Sequence, residues 1–227
     1  MSVATTVRDE DLTLSTAMRE GSRSEHEAAE GSTYMAELLE GRLTTEAYAA
    51  LLLRLRRVYA AMEDAVRERA DAPAVAAVHD AALERLAAID ADLAHWAPGT
   101  DPASVVSPAT DAYVARLRAA AGRDDLGGAL LAHHYTRYLG DLSGGQAIGR
   151  ILSRTYGLPE GVGVAFYDFA EIPKPKPYKD AYRARLDALG LSPEQVASVV
   201  DEVKAAFALN QAVFDELGRD IERYRAA

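Results

Sequence analysis

Apolar residues recur along this chain at three- and four-residue spacing, and almost nothing alternates with period two. That pattern predicts helices throughout. Alanine, leucine, arginine and glutamate dominate, and all four fit a helix at little cost. Glycine, proline and capping residues divide the pattern. Gly31 closes a first helix over residues 11–29, and Gly41 closes a short second one over 32–40 as a left-handed cap. A third starts at Thr44 or Thr45 and reaches about Arg69, ahead of Ala72-Pro73. A fourth covers roughly 74–95 and stops before Pro98-Gly99. Ser107-Pro108 pairs an N-cap with a first-turn proline, and that helix ends at Gly122. Asp124 or Asp125 opens a long helix reaching Tyr156 and ending at Gly157. Residues 157–177 read as an irregular loop, with Pro173-Lys174-Pro175-Lys176-Pro177 favouring extended backbone. A helix over about 178–188 closes at Gly190. Ser192-Pro193-Glu194-Gln195 is a capping box that opens a last helix running to about Arg225. With no repeat and no linker, the chain predicts one all-α domain over residues 1–227.

Composition narrows the possible roles. A chain of 227 residues buries a full core, and 49% hydrophobic with 26% charged residues is a globular balance. The net charge of −10 argues against non-specific nucleic-acid binding. The sequence has no cysteine, which excludes disulfides, Cys-ligated zinc, iron–sulfur clusters, a thiolate-ligated haem and a Cys nucleophile. No apolar run approaches the ~18 residues of a membrane span. The N-terminal stretch MSVATTVRDEDLTLS carries charges where a signal peptide has an apolar run. A cytoplasmic protein without a membrane segment is expected.

The long helix contains an expensive cluster. Gly140, Gly144 and Gly145 each cost about 1 kcal/mol relative to alanine in a helix interior. Gly140 and Gly144 are four apart and open one face. Close helix packing is the ordinary use of such a pair. Here Asp141 sits inside the cluster, and Tyr135, Thr136, Arg137 and Tyr138 precede it, so a polar group is expected against the bare backbone. Leu142-Ser143-Gly144-Gly145-Gln146 matches the signature of ABC-type ATPases by coincidence, since the chain contains no Gly-Lys pair for a Walker A loop.

The first helix carries His26, with Arg19, Arg23 and Glu30 on the same stripe. Arg19 lies about 10 Å along the axis from His26. One face thus offers an imidazole and two cations, a match for a metal centre with peripheral carboxylates; a solvated helix with ion pairs is the plainer alternative. His133 and His134 are adjacent, hence about 100° apart on a helix, and do not share one metal easily. No Glu-x-x-His or His-Glu-x-x-His occurs, which disfavours di-iron and zincin sites.

Together these segments resemble the haem oxygenases. The run Tyr135-Thr136-Arg137-Tyr138-Leu139-Gly140-Asp141-Leu142-Ser143-Gly144-Gly145-Gln146 looks like that family's distal-helix signature, and Ser24-Glu25-His26-Glu27-Ala28-Ala29-Glu30 like its proximal-histidine segment. Tyr59 in Val58-Tyr59-Ala60-Ala61-Met62-Glu63, the stretch 179–185 and Asn210 also fall in the family pattern, which covers about residues 10–225. The resemblance implies a single-domain helical fold with a kinked, glycine-rich distal helix and haem b between it and the first helix. It implies His26 as the axial iron ligand, and Gly140, Gly144 and Gly145 as backbone against the macrocycle. Arg19, Tyr135, Lys179 and Arg183 would hold the propionates. Asp141 with Tyr59, Arg137 and Asn210 would order a distal water network. Arg19 stands where some relatives have lysine, which keeps the charge and adds a bidentate fork. The C-terminal membrane anchor of some relatives is not expected here.

The implied activity is oxidative cleavage of haem b at a meso carbon to biliverdin, carbon monoxide and ferrous iron, with molecular oxygen as co-substrate. A thiolate would push electrons into the O–O bond and favour its splitting, and this chain has none to offer. Asp141 is expected to organise water more than to act as a direct acid. No flavin or nicotinamide motif is present, so electrons are expected from a ferredoxin or flavoprotein reductase. Arg54, Arg56, Arg57, Arg116, Arg118 and Arg123 are candidates for a docking patch. A haem carrier or sensor that binds without degrading is the alternative.

Overall fold

The computed structural model describes residues 12–226, and among them the only β-type pairing is one isolated bridge, Leu43 with Arg225. The expected helix start at Asp11 and the N-terminal stretch before it lie outside the described residues. Helices α1 (Leu14–Gly21), α2 (Arg23–Glu30), α3 (Thr33–Leu39), α4 (Thr45–Glu68), α5 (Pro73–Ala76), α6 (Leu86–Trp96) and α7 (Pro108–Ala121) form the first half. The second half holds α8 (Gly128–His134), α9 (Gln146–Tyr156), α10 (Pro175–Asp187), α11 (Pro193–Arg219) and α12 (Ile221–Tyr224).

Helices α4 and α11 organise the packing. α4 lies against α6, α7 and α8, and α11 against α1, α2, α3, α7 and α8. The apolar spacing of α4 buries Leu51, Leu52, Leu55, Val58, Tyr59 and Met62. The first turn of α11 forms the predicted capping box, Ser192 accepting from the Gln195 amide and Gln195 from the Ser192 amide.

The structure corrects four boundaries. The single first helix is broken at Ser22, whose backbone leaves helical values (φ −114°, ψ 14°). Gly21 lies so close to α11 that a Cβ there would sit 2.6 Å from Val200 Cγ1. The Ser22 hydroxyl donates back to the Met18 carbonyl at 2.7 Å. The fourth helix is three pieces, α5, a 3₁₀ turn over Ala81–Leu83, and α6. Asp80 caps the turn through the Ala82 amide, while the buried Glu63 of α4 accepts the amides of Arg85 and Leu86 at 2.7 and 3.0 Å. A carboxylate from another helix therefore decides where α6 begins. α10 starts at Pro175, inside the run expected to be extended, because a first-turn proline has no amide to lose. The last helix stops at Arg219, and Asp220 (φ −100°, ψ 19°) separates it from α12.

Between α8 and α9 the helix continues without a break, but as two π-helical segments, Tyr135–Leu139 and Asp141–Gly145, on either side of Gly140. This is the form taken by the irregularity expected at the glycines. Each such segment accommodates one extra residue in the turn, an arrangement frequent at functional sites.

Candidate active site

The π-helical stretch, α2 and α11 enclose a two-chambered cleft. The outer chamber, about 740 Å³, is lined by Arg19, Arg23, His26, Tyr135, Gly140, Gly144 and Arg183 among others. The inner one, about 140 Å³, is walled by Leu51, Leu55, Phe166, Tyr167, Phe207 and Phe214, with Arg137, Asp141 and Asn210 as its polar groups. His26, Glu30, Thr136, Gly140, Gly144 and Phe207 border both.

Four predicted residues meet at the inner end. The Tyr59 hydroxyl donates to Asp141 Oδ2. Arg137 donates through Nε to the Tyr59 oxygen (3.0 Å), through Nη1 to Asn210 Oδ1 (2.7 Å) and through Nη2 to Asp141 Oδ1 (3.4 Å). Asn210 donates in turn to the Ala206 carbonyl at 3.0 Å. All four side chains are buried. Burial raises the Asp141 pKa, opposed by the Arg137 charge and the Tyr59 hydrogen bond. Burial also raises Tyr59 well above its ordinary value. For Arg137 burial works against the charge, but Tyr59 and Asp141 outweigh it and the net pKa is raised. The cation that neutralises Asp141 is therefore permanent.

The opposite wall carries His26. Its side chain is 46% exposed, its Nε2 lies 3.4 Å from Glu30 Oε1, and its ring stands edge-on to Phe207 at 5.2 Å between centroids. Gly140 and Gly144 open onto the cleft: a Cβ built on either meets nothing within 4 Å. Gly145 differs from the expectation. A Cβ there would lie 2.9 Å from Tyr167 Cδ1, and one on Gly149 3.1 Å from Tyr167 Cβ. Gly145 borders the inner chamber, but its open side seats the Tyr167 ring, so the bare face reduces to Gly140 and Gly144.

At the outer end Arg19, Arg23 and Arg183 surround Tyr135, whose pKa burial raises while Arg183 and Arg19 oppose. Arg19 and Arg23 both pair with Glu20, and Arg183 with Asp180 at 3.2 Å. Lys179 donates to Ser143 Oγ at 2.9 Å, beside the outer chamber instead of within its lining. Arg23 was recognised only as a member of the His26 stripe; its place in the lining adds it to the cationic group. Sequence reasoning missed Phe207 and Phe214, which look like ordinary core positions of α11. It also missed Tyr167, whose loop carries no periodicity. The one available signal for Tyr167 was Gly149, four residues after Gly145.

The arginine patch is corrected. Arg54 pairs with Glu216, Arg56 with Asp90, Arg57 with Asp111, Arg116 with Glu202, and Arg123 with Glu202 and Asp125. Neutralised in this way, these five do not form a free basic surface.

The residues fit a haem. Among the described residues no three His, Cys, Asp or Glu side chains cluster to hold a bare metal ion. A single exposed imidazole suits a metal that arrives inside its own macrocycle. The cleft supplies that imidazole, bare main chain, apolar inner walls, and cations at one end to pair two carboxylates.

Comparison with known proteins agrees. The family model described as Heme oxygenase matches residues 12–216. Heme oxygenase 1 of Rattus norvegicus is 38% identical over 208 residues, 90% of this chain and 71% of the relative. Heme oxygenase of Porphyra purpurea is 36% identical over 210 residues, 92% of this chain and 88% of that one. Heme oxygenase-2 from Synechocystis sp. PCC 6803, solved in complex with heme and NO, superposes with a TM-score of 0.86 at 33% identity, covering 93% of this chain and 88% of that one. The enzyme of Leptospira interrogans gives 0.85 at 35% identity, with 90% and 100% coverage. An all-α fold with one histidine facing glycine backbone is the architecture of a haem-degrading enzyme. The chain belongs to the heme oxygenase family.

Proposed function

We propose that this cleft binds haem b, that His26 would hold its iron, and that Asp141 and its partners direct the oxidation that opens the ring. The chain is an oxidoreductase of the haem oxygenase family, with haem as substrate and dioxygen as co-substrate. When bound, haem supplies the iron at which dioxygen is reduced and the meso carbon that is attacked, giving biliverdin, carbon monoxide and ferrous iron. The observation that carries the reading is the pairing of one exposed imidazole with two open glycines in a single cleft.

Each side chain then has a task. Gly140 and Gly144 let main chain lie against the macrocycle, where a methyl group would hold it off. Arg19, Arg183 and Tyr135, with Lys179 beside them, pair the propionates at the outer end. Asp141 is held at both oxygens, by Tyr59 and by Arg137, and Asn210 holds Arg137. It orders water near the reacting edge and moves a proton at its own carboxylate, while the Arg137 cation keeps it from rising further in pKa. Among the described residues, the tethered Arg137 is the one arginine or lysine that borders the inner chamber. Electrons come from an external reductase, for which we propose a ferredoxin or flavoprotein. No helix among the described residues is long and apolar enough to cross a membrane. We propose action in the cytoplasm, in keeping with the cysteine-free composition, and one domain spanning the chain.

The test is hemin titration followed by turnover with ascorbate in air. Wild-type protein should give a stoichiometric coloured complex that converts to biliverdin. His26→Ala should keep weaker hemin binding through the apolar walls but lose the axial-histidine spectrum. A wild-type spectrum in that variant refutes the axial assignment.

A further inference from the structure

Aromatic rings run in an unbroken file from the inner chamber to the protein surface. Tyr167 lines that chamber and packs on Gly145 and Gly149. Its ring stacks on Tyr48, with centroids 6.4 Å apart and planes 21° from parallel. Tyr48 meets Trp96 edge-on at 5.7 Å, and Trp96 meets Tyr156 at 5.6 Å. Tyr48 is fully buried, whereas Trp96 and Tyr156 are partly exposed. Tyrosine and tryptophan are the side chains that lose one electron most readily in a protein without cysteine, and Trp96 is the sole tryptophan.

Packing alone does not account for this file. The buried Tyr48 hydroxyl makes no hydrogen bond of regular geometry among the described residues, its nearby polar partner being the Tyr167 hydroxyl, the next member of the file. A phenylalanine would fill the same space without burying that hydroxyl. What phenylalanine would not provide is a phenol that oxidises easily. The indole of Trp96 is held by donation from Nε1 to the Gly163 carbonyl at 2.6 Å, and Gly163 lies so close that a Cβ would sit 2.8 Å from Nε1. The loop is therefore built around the indole at the point where the file reaches solvent.

We propose that Tyr167, Tyr48 and Trp96 form an electron relay that carries oxidising equivalents out of the cleft when oxygen reduction there goes astray. This rests on the haem-binding reading of the cleft. The oxidant is hydrogen peroxide, the two-electron reduction product of dioxygen, consumed at the bound haem. At each hop one electron moves inward and one hole moves outward. One peroxide takes two electrons and two protons and becomes two waters. Trp96 gives up two electrons and two protons and gains the oxygen of one water, becoming a hydroxylated indole. Where a one-electron donor such as ascorbate is present outside, it reduces the Trp96 radical before water adds, one electron for each hop, and the indole is left unmodified. The relay thus spares the residues that line the cleft.

The experiment treats hemin-loaded protein with hydrogen peroxide, without ascorbate, and maps oxidised peptides by mass spectrometry. Protein without hemin, treated identically, reports direct attack on the partly exposed indole. In the wild type Trp96 should gain the mass of one oxygen atom only when hemin is loaded, and ascorbate should suppress the gain. Tyr48→Phe should lower Trp96 oxidation at least several-fold and shift it to Tyr167 and Met35 at the chamber wall. Trp96→Phe should produce the same inward shift and provides a second variant. Equal Trp96 oxidation in wild type and Tyr48→Phe overturns the relay, as does equal oxidation with and without hemin. Failure to bind hemin at all overturns the reading of the cleft, whereas normal binding with an unmodified Trp96 overturns the relay alone.

Discussion

Asp141 is the residue on which the reaction's outcome turns. Its carboxylate is buried between a phenol and a guanidinium, and Asp141→Ala removes the group that orders water while leaving His26 and the outer cations in place. Hemin binding should persist, with biliverdin yield down by about 100-fold, the scale of a lost proton-handling group. Product chromatography with parallel peroxidase assays should show diversion to peroxidase-type oxidation; unchanged biliverdin removes Asp141 from the mechanism. The glycines allow a sharper comparison, because they look alike in sequence and differ in surroundings. Gly144→Ala meets open cleft and should raise the stability of the hemin-free protein by about 0.5–1 kcal/mol while weakening hemin binding. Gly145→Ala collides with Tyr167 and should lower stability by about 1–3 kcal/mol. Thermal melts paired with hemin titrations distinguish them. At this scale the sequence spoke clearly where a residue type was costly or rare, as with Asp141 among glycines. It was silent on Phe207 and Tyr167, because an aromatic ring at a wall is written in the same letters as one in a core.

Among the helices, legibility followed the locality of the stop signal. Gly41 (φ 71°), Gly122 and the Ser192 box lie within the segment they terminate and were read correctly. Ser22 and the start of α6 were not, because their causes sit on other helices, Val200 of α11 and Glu63 of α4. The Glu63 cap makes a prediction of its own. Glu63→Ala strips two amides of their acceptor and frees the Tyr138 hydroxyl that also reaches this carboxylate, at 3.3 Å. It should cost about 2 kcal/mol in chemical denaturation, with hydrogen exchange accelerating first around Arg85 and Leu86. A wild-type midpoint would show that α6 begins there without its help.

At the scale of the whole molecule, buried and half-buried acidic side chains are tied to local cations. Glu202 alone takes His133, Arg116 and Arg123. Burial raises its pKa, but His133 and Arg116 prevail and hold it down at about 2, against 4.5 in an unfolded chain. The native state therefore binds fewer protons than the unfolded one in that interval. Stability is present above pH 4.5 and lost on the way down to about 2, on the order of 3 kcal/mol. His134 acts higher up. Burial, with His79 and Arg185 nearby, lowers it from 6.5 to about 3, so acid favours the unfolded chain from pH 6.5 downward. Melting temperature against pH should fall in two stages, with Glu202→Gln flattening the lower and His134→Gln the upper; a flat wild-type profile contradicts both. The two π-helical segments carry a different consequence. Each holds one residue more than an α-helix needs, and the wide turn absorbs it so that the flanking helices keep their register. Deleting one residue from either segment would therefore close only that turn, reshaping the wall beside Gly140 and Gly144 while α9 and the seat for Tyr167 keep their direction, so the length of this stretch sets the depth of the cleft and not the course of the chain beyond it.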